Sequence, residues 1–142
     1  MSHPTLDLRR AYLALRRALE ETVKPFGFTG GQFDVLQLLL HEDAVEHRDL
    51  QRRLAVTSPT LTNVLDVLER NGHVSRRVSE EDARARSIRM TDAARQVCYS
   101  DAFCAAGDRL VERMFQGFTP EEREQFTGFL HRIERNLDGG GR

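Results

Sequence analysis

Apolar residues recur at spacings of three and four from Leu8 through Tyr12, Leu15, Leu19 and Val23, so residues 6–24 read as an amphipathic helix. The stretch KPFGF breaks it. Thr29 followed by Gln32 has the pattern of a capping box, and QFDVLQLLL then reads as a strongly apolar second helix. HRDLQRRLAV predicts a short third helix with Leu50 and Leu54 inward. Ser58 reads as the cap of a fourth helix, with Pro59 at its first position. That helix runs to about Arg70 and stops at Asn71-Gly72.

The period then changes. HVSRRV and RSIRM alternate over short stretches and are separated by the polar SEEDARA, which predicts a two-stranded hairpin with a charged tip. TDAARQ opens what reads as one long helix reaching about Gly117, roughly 40 Å at 1.5 Å per residue. TPEE restarts the chain with a cap, a proline and early acids, ahead of a last helix carrying Phe126, Phe129, Leu130, Ile133 and Leu137. The expected class is mainly α with a small β-hairpin wing: a helix-turn-helix followed by a wing, flanked by long helices. Four segments follow: an N-terminal helix (1–28), a winged helix-turn-helix lobe (29–91), C-terminal helices (92–138) and a disordered tail (139–142).

A wheel of the fourth helix separates two faces. Leu61, Val64, Leu65 and Leu68 form one stripe, which faces a core. Opposite lie Pro59, Asn63, Asp66 and Arg70, with Thr62 and Val67 on the flanks. Short hydroxyl and amide side chains let a helix backbone approach base edges in a major groove, and they donate or accept there. Ser58, Thr60, Thr62, Asn63 and Arg70 are therefore the candidate contacts on this helix. Asp66 would repel phosphate unless it is paired, and Arg70 is the partner expected.

Charge sharpens the picture. The chain has 142 residues and a formal charge of -1, yet residues 48–95 hold ten arginines against seven acids. A basic middle on an acidic body points to a localised anion-binding face. Arginine at a hairpin tip can enter the narrow, negative minor groove of A·T-rich DNA. Arg84 is the candidate for that role, with Asp82 two residues before it to orient the guanidinium and stiffen the tip. Arg76, Arg77, Arg86 and Arg89 on the strands would meet flanking phosphates.

The segments GFTGGQFDVLQLL and DLQRRLAVTSPTLTNVLDVLERNGHVSRRVSEEDARARSIRMT, with the long helices around them, resemble the MarR family of bacterial transcriptional regulators. The likeness is strongest from Leu50 to Thr91, where SPTLT, LERNG and the D-x-R tip share the family's spacing. It implies a homodimer of winged-helix lobes joined by a dimerisation region built from the N- and C-terminal helices. The fourth helix would then read the major groove and Arg84 the minor groove. It also implies repression of nearby genes, relieved when a small aromatic or anionic molecule binds between the lobes, in a pocket that Tyr12, Arg16 and Phe33, with His41, would line. Val67, Ala94 and His73 depart from the usual family residues. Apolar first and last helices agree with a partner chain, and two-fold symmetry predicts a pseudo-palindromic double-stranded operator with half-sites about one helical turn, ~10 bp, apart.

Other readings are weaker. On one continuous helix Cys98 and Cys104 would differ by about 240° in direction and ~9 Å in rise, too far for an internal disulfide. Buried packing is expected for both, with a redox-responsive regulator using Cys98/Cys104 as the alternative. A winged helix used only for protein contacts is the other. His41, His47, His73 and His131 are scattered and match no metal motif, so neither metal nor cofactor is expected. No activated nucleophile marks an enzyme. No apolar run approaches the ~20 residues of a membrane span, and the N-terminus MSHPTLDLRR is no secretory signal, so the chain is read as cytoplasmic.

Overall fold

The computed structural model describes residues 1–78, 81 and 86–139. The chain divides into two compact units, Met1–Gly107 and Asp108–Arg142.

The first unit opens with α1 (Pro4–Val23), whose proline sits where a helix needs no N–H. A 3-10 turn over Lys24–Phe26 and Gly27, at a φ of +85°, turn the chain. Next comes α2 (Gly30–Leu39), closed by the expected box: Thr29 Oγ1 accepts from the Gln32 N–H, and Gln32 Oε1 accepts from the Thr29 N–H. The Gly30 N–H donates to Glu20 Oε1 of α1 at 2.8 Å. A Cβ at residue 30 would stand 2.5 Å from that oxygen, so a glycine lets the two helices meet through this bond.

Then follow β1 (Val45–Glu46), α3 (His47–Leu54), α4 (Ser58–Arg70), β2 (Val74–Val78) and β3 (Arg86–Met90). Where a two-stranded hairpin was expected, the sheet has three antiparallel strands in the order β1-β3-β2. Val45 lies opposite Ile88, and Arg76 also lies opposite Ile88 from the other side. Two residues are too few to show an alternating pattern, so β1 has no signature of its own. The cap of α4 also shifts by one. Thr57 Oγ1 accepts from the Thr60 N–H, which makes Thr57 the N-cap and Ser58 the first helical residue.

Between α3 and α4 the turn is closed by Ala55, with φ at 53°, the one non-glycine residue of positive φ among those described. Leu36 and Leu39 of α2, Leu50 of α3, Leu61, Leu65 and Leu68 of α4 and Ile88 of β3 are fully buried in one core. Burying each contributes about 1.5–3 kcal/mol relative to exposure. Val64, expected in that stripe, is half-buried at its edge.

The long helix expected after the hairpin is two helices, α5 (Asp92–Cys98) and α6 (Asp101–Met114). Ser100 makes the break. Its hydroxyl donates to the Val97 carbonyl at 2.7 Å, ending one helix, and accepts from the Phe103 N–H at 3.2 Å, starting the next. The division between the two units falls within α6, after Gly107.

In the second unit, Thr119 and Glu122 form a reciprocal box that starts α7 (Pro120–Gly139). Phe115 packs edge-on against Phe118 and Phe126, and the Arg123 guanidinium lies 4.7 Å from its ring centre. Phe129, Leu130, Ile133 and Leu137 of α7 are exposed.

Candidate nucleic-acid interface

The outward face of α4 is short and polar. Leu61, Leu65 and Leu68 are held in the core, which turns Ser58, Pro59, Thr60, Asn63, Asp66 and Arg70 to solvent, with Thr62 and Val67 half-buried on the flanks. Thr60 joins the cap through a hydroxyl–hydroxyl bond of 2.8 Å to Thr57, which fixes its side chain at the helix start.

The strands beside this face carry arginine on their outer positions. Ile88 and Met90 of β3 and Val74 of β2 point inward, and strand alternation therefore turns Arg77 and Arg89 out; Arg86 is on the Ile88 side of β3 but beyond the core, and it too is exposed. Asp82 and Arg84, the residues read as the wing tip, lie outside the described residues.

Arg76 has a different position. Its Nη2 donates to Asp66 Oδ1 at 2.8 Å and to Glu69 Oε1 at 2.9 Å, clamping β2 to α4. Asp66 therefore pairs with Arg76 across the two elements, where Arg70 had been expected. An α-helix leaves Asp66 and Arg70 as neighbours on one exposed face, but the sheet carries the half-buried guanidinium of Arg76 to both carboxylates at once. Those bonds, with the charges behind them, raise the Arg76 pKa against the opposing effect of burial. The same guanidinium lowers that of Glu69, chiefly through its hydrogen bond. The two acids on this face thus share one guanidinium, which leaves the trio a single net negative charge.

His47, the first residue of α3, joins this surface, although the sequence marked it only as a scattered histidine. Its Nε2 lies 3.4 Å from Ser58 Oγ at the start of α4. Glu46 beside it pairs in register with Ser87, which sets His47 next to Arg86. Burial, then Arg86 and Arg76, hold the imidazole pKa below its usual value.

Residues 28–85 match the model of the MarR family. The chain is 31% identical over 112 residues to the uncharacterized HTH-type transcriptional regulator YdgJ of Bacillus subtilis, covering 79% of this chain and 67% of that protein. The chain belongs to the MarR family. MarR-family proteins of known structure share the fold. A mutant MarR from E. coli complexed with operator DNA superposes with a TM-score of 0.78 at 23% identity, over 89% of each chain. BpsR of Bordetella bronchiseptica, whose DNA binding is regulated by 6-hydroxynicotinic acid, superposes with a TM-score of 0.81 at 21% identity, over 94% of this chain and 99% of that one. At such identity the likeness is one of fold. As a MarR-family winged-helix protein, the chain is a transcriptional regulator.

The residues read as an effector pocket are only partly brought together. Arg16 donates to Asp34 at 2.7 Å, and Tyr12, exposed, lies close enough to act on its charge. Phe33 turns to Phe103, 5.7 Å between ring centres, and His41 is exposed beyond the end of α2. A cleft of about 470 Å³ lies elsewhere, lined by Glu42, Val45, Glu46, Arg48, Asp49 and Arg52 among others. Its charges are largely paired internally, Arg48 with Glu46, Arg52 with Asp49 and the nearby Arg53 with Glu42.

Of the two cysteines, Cys104 departs from expectation. Cys98 is buried but Cys104 is exposed, and the break at Ser100 removes the single helix on which their separation was reckoned. Cys104 Sγ lies 3.7 Å from the Cys98 carbonyl oxygen. Burial raises the Cys98 pKa, the neighbouring Cys104 adds to this, and Arg95 partly opposes it. Among the described residues no group of three or more His, Cys, Asp or Glu could hold a metal ion. No helix among them is long and apolar enough to cross a membrane.

Proposed function

We propose that the protein is a cytoplasmic, homodimeric, sequence-specific DNA-binding repressor that releases a pseudo-palindromic operator when a small aromatic or anionic molecule binds. The observation that carries this reading is the short polar face of α4, clamped by Arg76 to a strand pair on which Arg77, Arg86 and Arg89 are exposed. Ser58, Thr60, Thr62 and Asn63 reach base edges in the major groove, and Val67 touches a thymine methyl. Arg70, Arg77, Arg86 and Arg89 meet phosphates, Arg84 enters the minor groove, and Asp82 orients it. Arg76 acts through Asp66 and Glu69, holding wing and recognition helix at one angle. The exposed apolar residues Leu6, Leu8, Tyr12 and Leu13 of α1 and Phe129, Leu130, Ile133 and Leu137 of α7 support a partner chain, and the E. coli and Bordetella proteins support operator and effector. Catalysis has no part in this reading.

The test is fluorescence anisotropy with duplexes selected from a random library, across a salt series, for wild type and Arg84→Ala. Expected are tight binding that weakens with salt, resistance to unlabelled random competitor, and a clear loss in the variant. Failure to select any duplex would overturn the reading.

A further inference from the structure

The cluster at the base of the wing does more than add charge. Three elements converge there: His47 from α3, Ser58 from α4 and Arg86 from β3, with Nε2 of the imidazole 3.4 Å from the Ser58 hydroxyl. In helix-turn-helix docking the first helix of the motif crosses the DNA backbone while the second enters the groove. His47 is the first residue of that first helix, half-buried with its ring against the start of the second. We propose that His47 contacts a DNA phosphate in the notch between the recognition helix and the wing, and takes up a proton as it does so, making operator binding proton-linked. The inference rests on the DNA-binding reading above.

The electrostatics follow from the groups around the ring. β3 presents Arg86 and β2 presents Arg76, whose charge is already answered by Asp66 and Glu69. α4 presents the uncharged Ser58 hydroxyl. On either side of His47 in the chain, Glu46 and Arg48 are paired with each other at 2.9 Å. In the free protein the ring is disfavoured as a cation by burial, then by Arg86 and Arg76. An arriving phosphate reverses that balance, because it answers Arg86 and offers the second ring nitrogen an anionic acceptor. The imidazole pKa rises in the complex. Linkage then fixes the sign: the gain in affinity is complete below the free-state pKa and is lost as pH rises through that of the complex. Each unit of rise corresponds to about tenfold in affinity.

The experiment measures anisotropy at constant ionic strength from about pH 8 to about pH 5.5, a range that spans histidine titration. The probe is a labelled duplex selected by the wild-type protein at the upper end. Wild type should bind roughly tenfold more tightly at the acidic end. His47→Gln, whose amide cannot take up a proton, should lose most of the pH dependence. His47→Arg should bind with little pH dependence, near the acidic wild-type level. In NMR titrations the His47 ring should titrate at a higher pH with the duplex bound than without. A flat wild-type profile, or an unchanged one in His47→Gln, overturns the inference and leaves the regulator reading standing. Equal weakening of His47→Gln at every pH also overturns it, because that is the mark of a structural role. If no duplex can be selected, both fall together.

Discussion

At the scale of single residues, the structure separates side chains that the sequence presents as equals. Arg76 and Arg77 are adjacent on one strand, yet one is clamped between two carboxylates and the other is exposed. Their substitution should therefore differ in kind. Arg77→Ala should weaken DNA binding uniformly and reduce the slope of log K against log salt by about one. Arg76→Ala should cost about tenfold in affinity with the slope nearly unchanged, because a misaligned helix loses base contacts worth ~1–3 kcal/mol without releasing fewer counterions. The clamp also has a pH sign. The Glu69 pKa is lowered by Arg76, so its contribution to folding stability is present above the unfolded carboxylate pKa and is lost as pH falls through the folded one. Acid titration of stability should accordingly be shallower in Glu69→Gln than in wild type. The cysteines make a second contrast. An exposed Cys104 should react with a thiol reagent in the native protein, whereas Cys98, buried and with its pKa raised, should react mainly on unfolding. Equal rates for the two would contradict the burial of Cys98.

At the scale of elements, α4 depends on its cap and its stripe. Thr57→Ala removes the acceptor for the Thr60 N–H and should cost about 0.5–2 kcal/mol in denaturant unfolding. Leu65→Ala opens a fully buried site and should cost about 2–5 kcal/mol. Ser58→Ala should be the mild one, since Ser58 is the first helical residue and not the cap. If Ser58→Ala destabilised the fold more than Thr57→Ala, the assignment of the cap would be wrong. The break between α5 and α6 has a comparable origin. One serine serves as acceptor for the new helix and donor to the old one, and the bend seats Cys98 in the core while leaving Cys104 exposed.

At the scale of the whole molecule, each unit exposes apolar residues that its own core does not cover. On α1 these are Leu6, Leu8, Tyr12 and Leu13; on α7 they are Phe129, Leu130, Ile133 and Leu137. A homodimer that buries them makes stability depend on protein concentration. Light scattering should report a dimer for the wild type. Ile133→Glu should shift it towards monomer and lower the melting temperature. A monomeric wild type at micromolar concentration would remove the symmetric operator from the proposal.

The amino-acid order by itself determined the kinds of element and most of their limits. Periodicity, capping residues, prolines and glycines act over one or two helical turns, so α1 to α4, the paired strands β2 and β3 and α7 were legible without any partner. The outward face of α4 was legible too, because a helix that buries Leu61, Leu65 and Leu68 has no choice about where Asn63 points. Tertiary structure decided what depends on contacts between distant segments. β1 exists because Val45 meets Ile88. Asp66 answers Arg76 and not Arg70 because the sheet brings a guanidinium across ten residues of chain. His47 becomes part of a basic notch because register sets it beside Arg86 and the turn sets it beside Ser58. Each of these is a meeting of side chains whose separation in sequence is many times their separation in space, and local pattern carries no information about such distances.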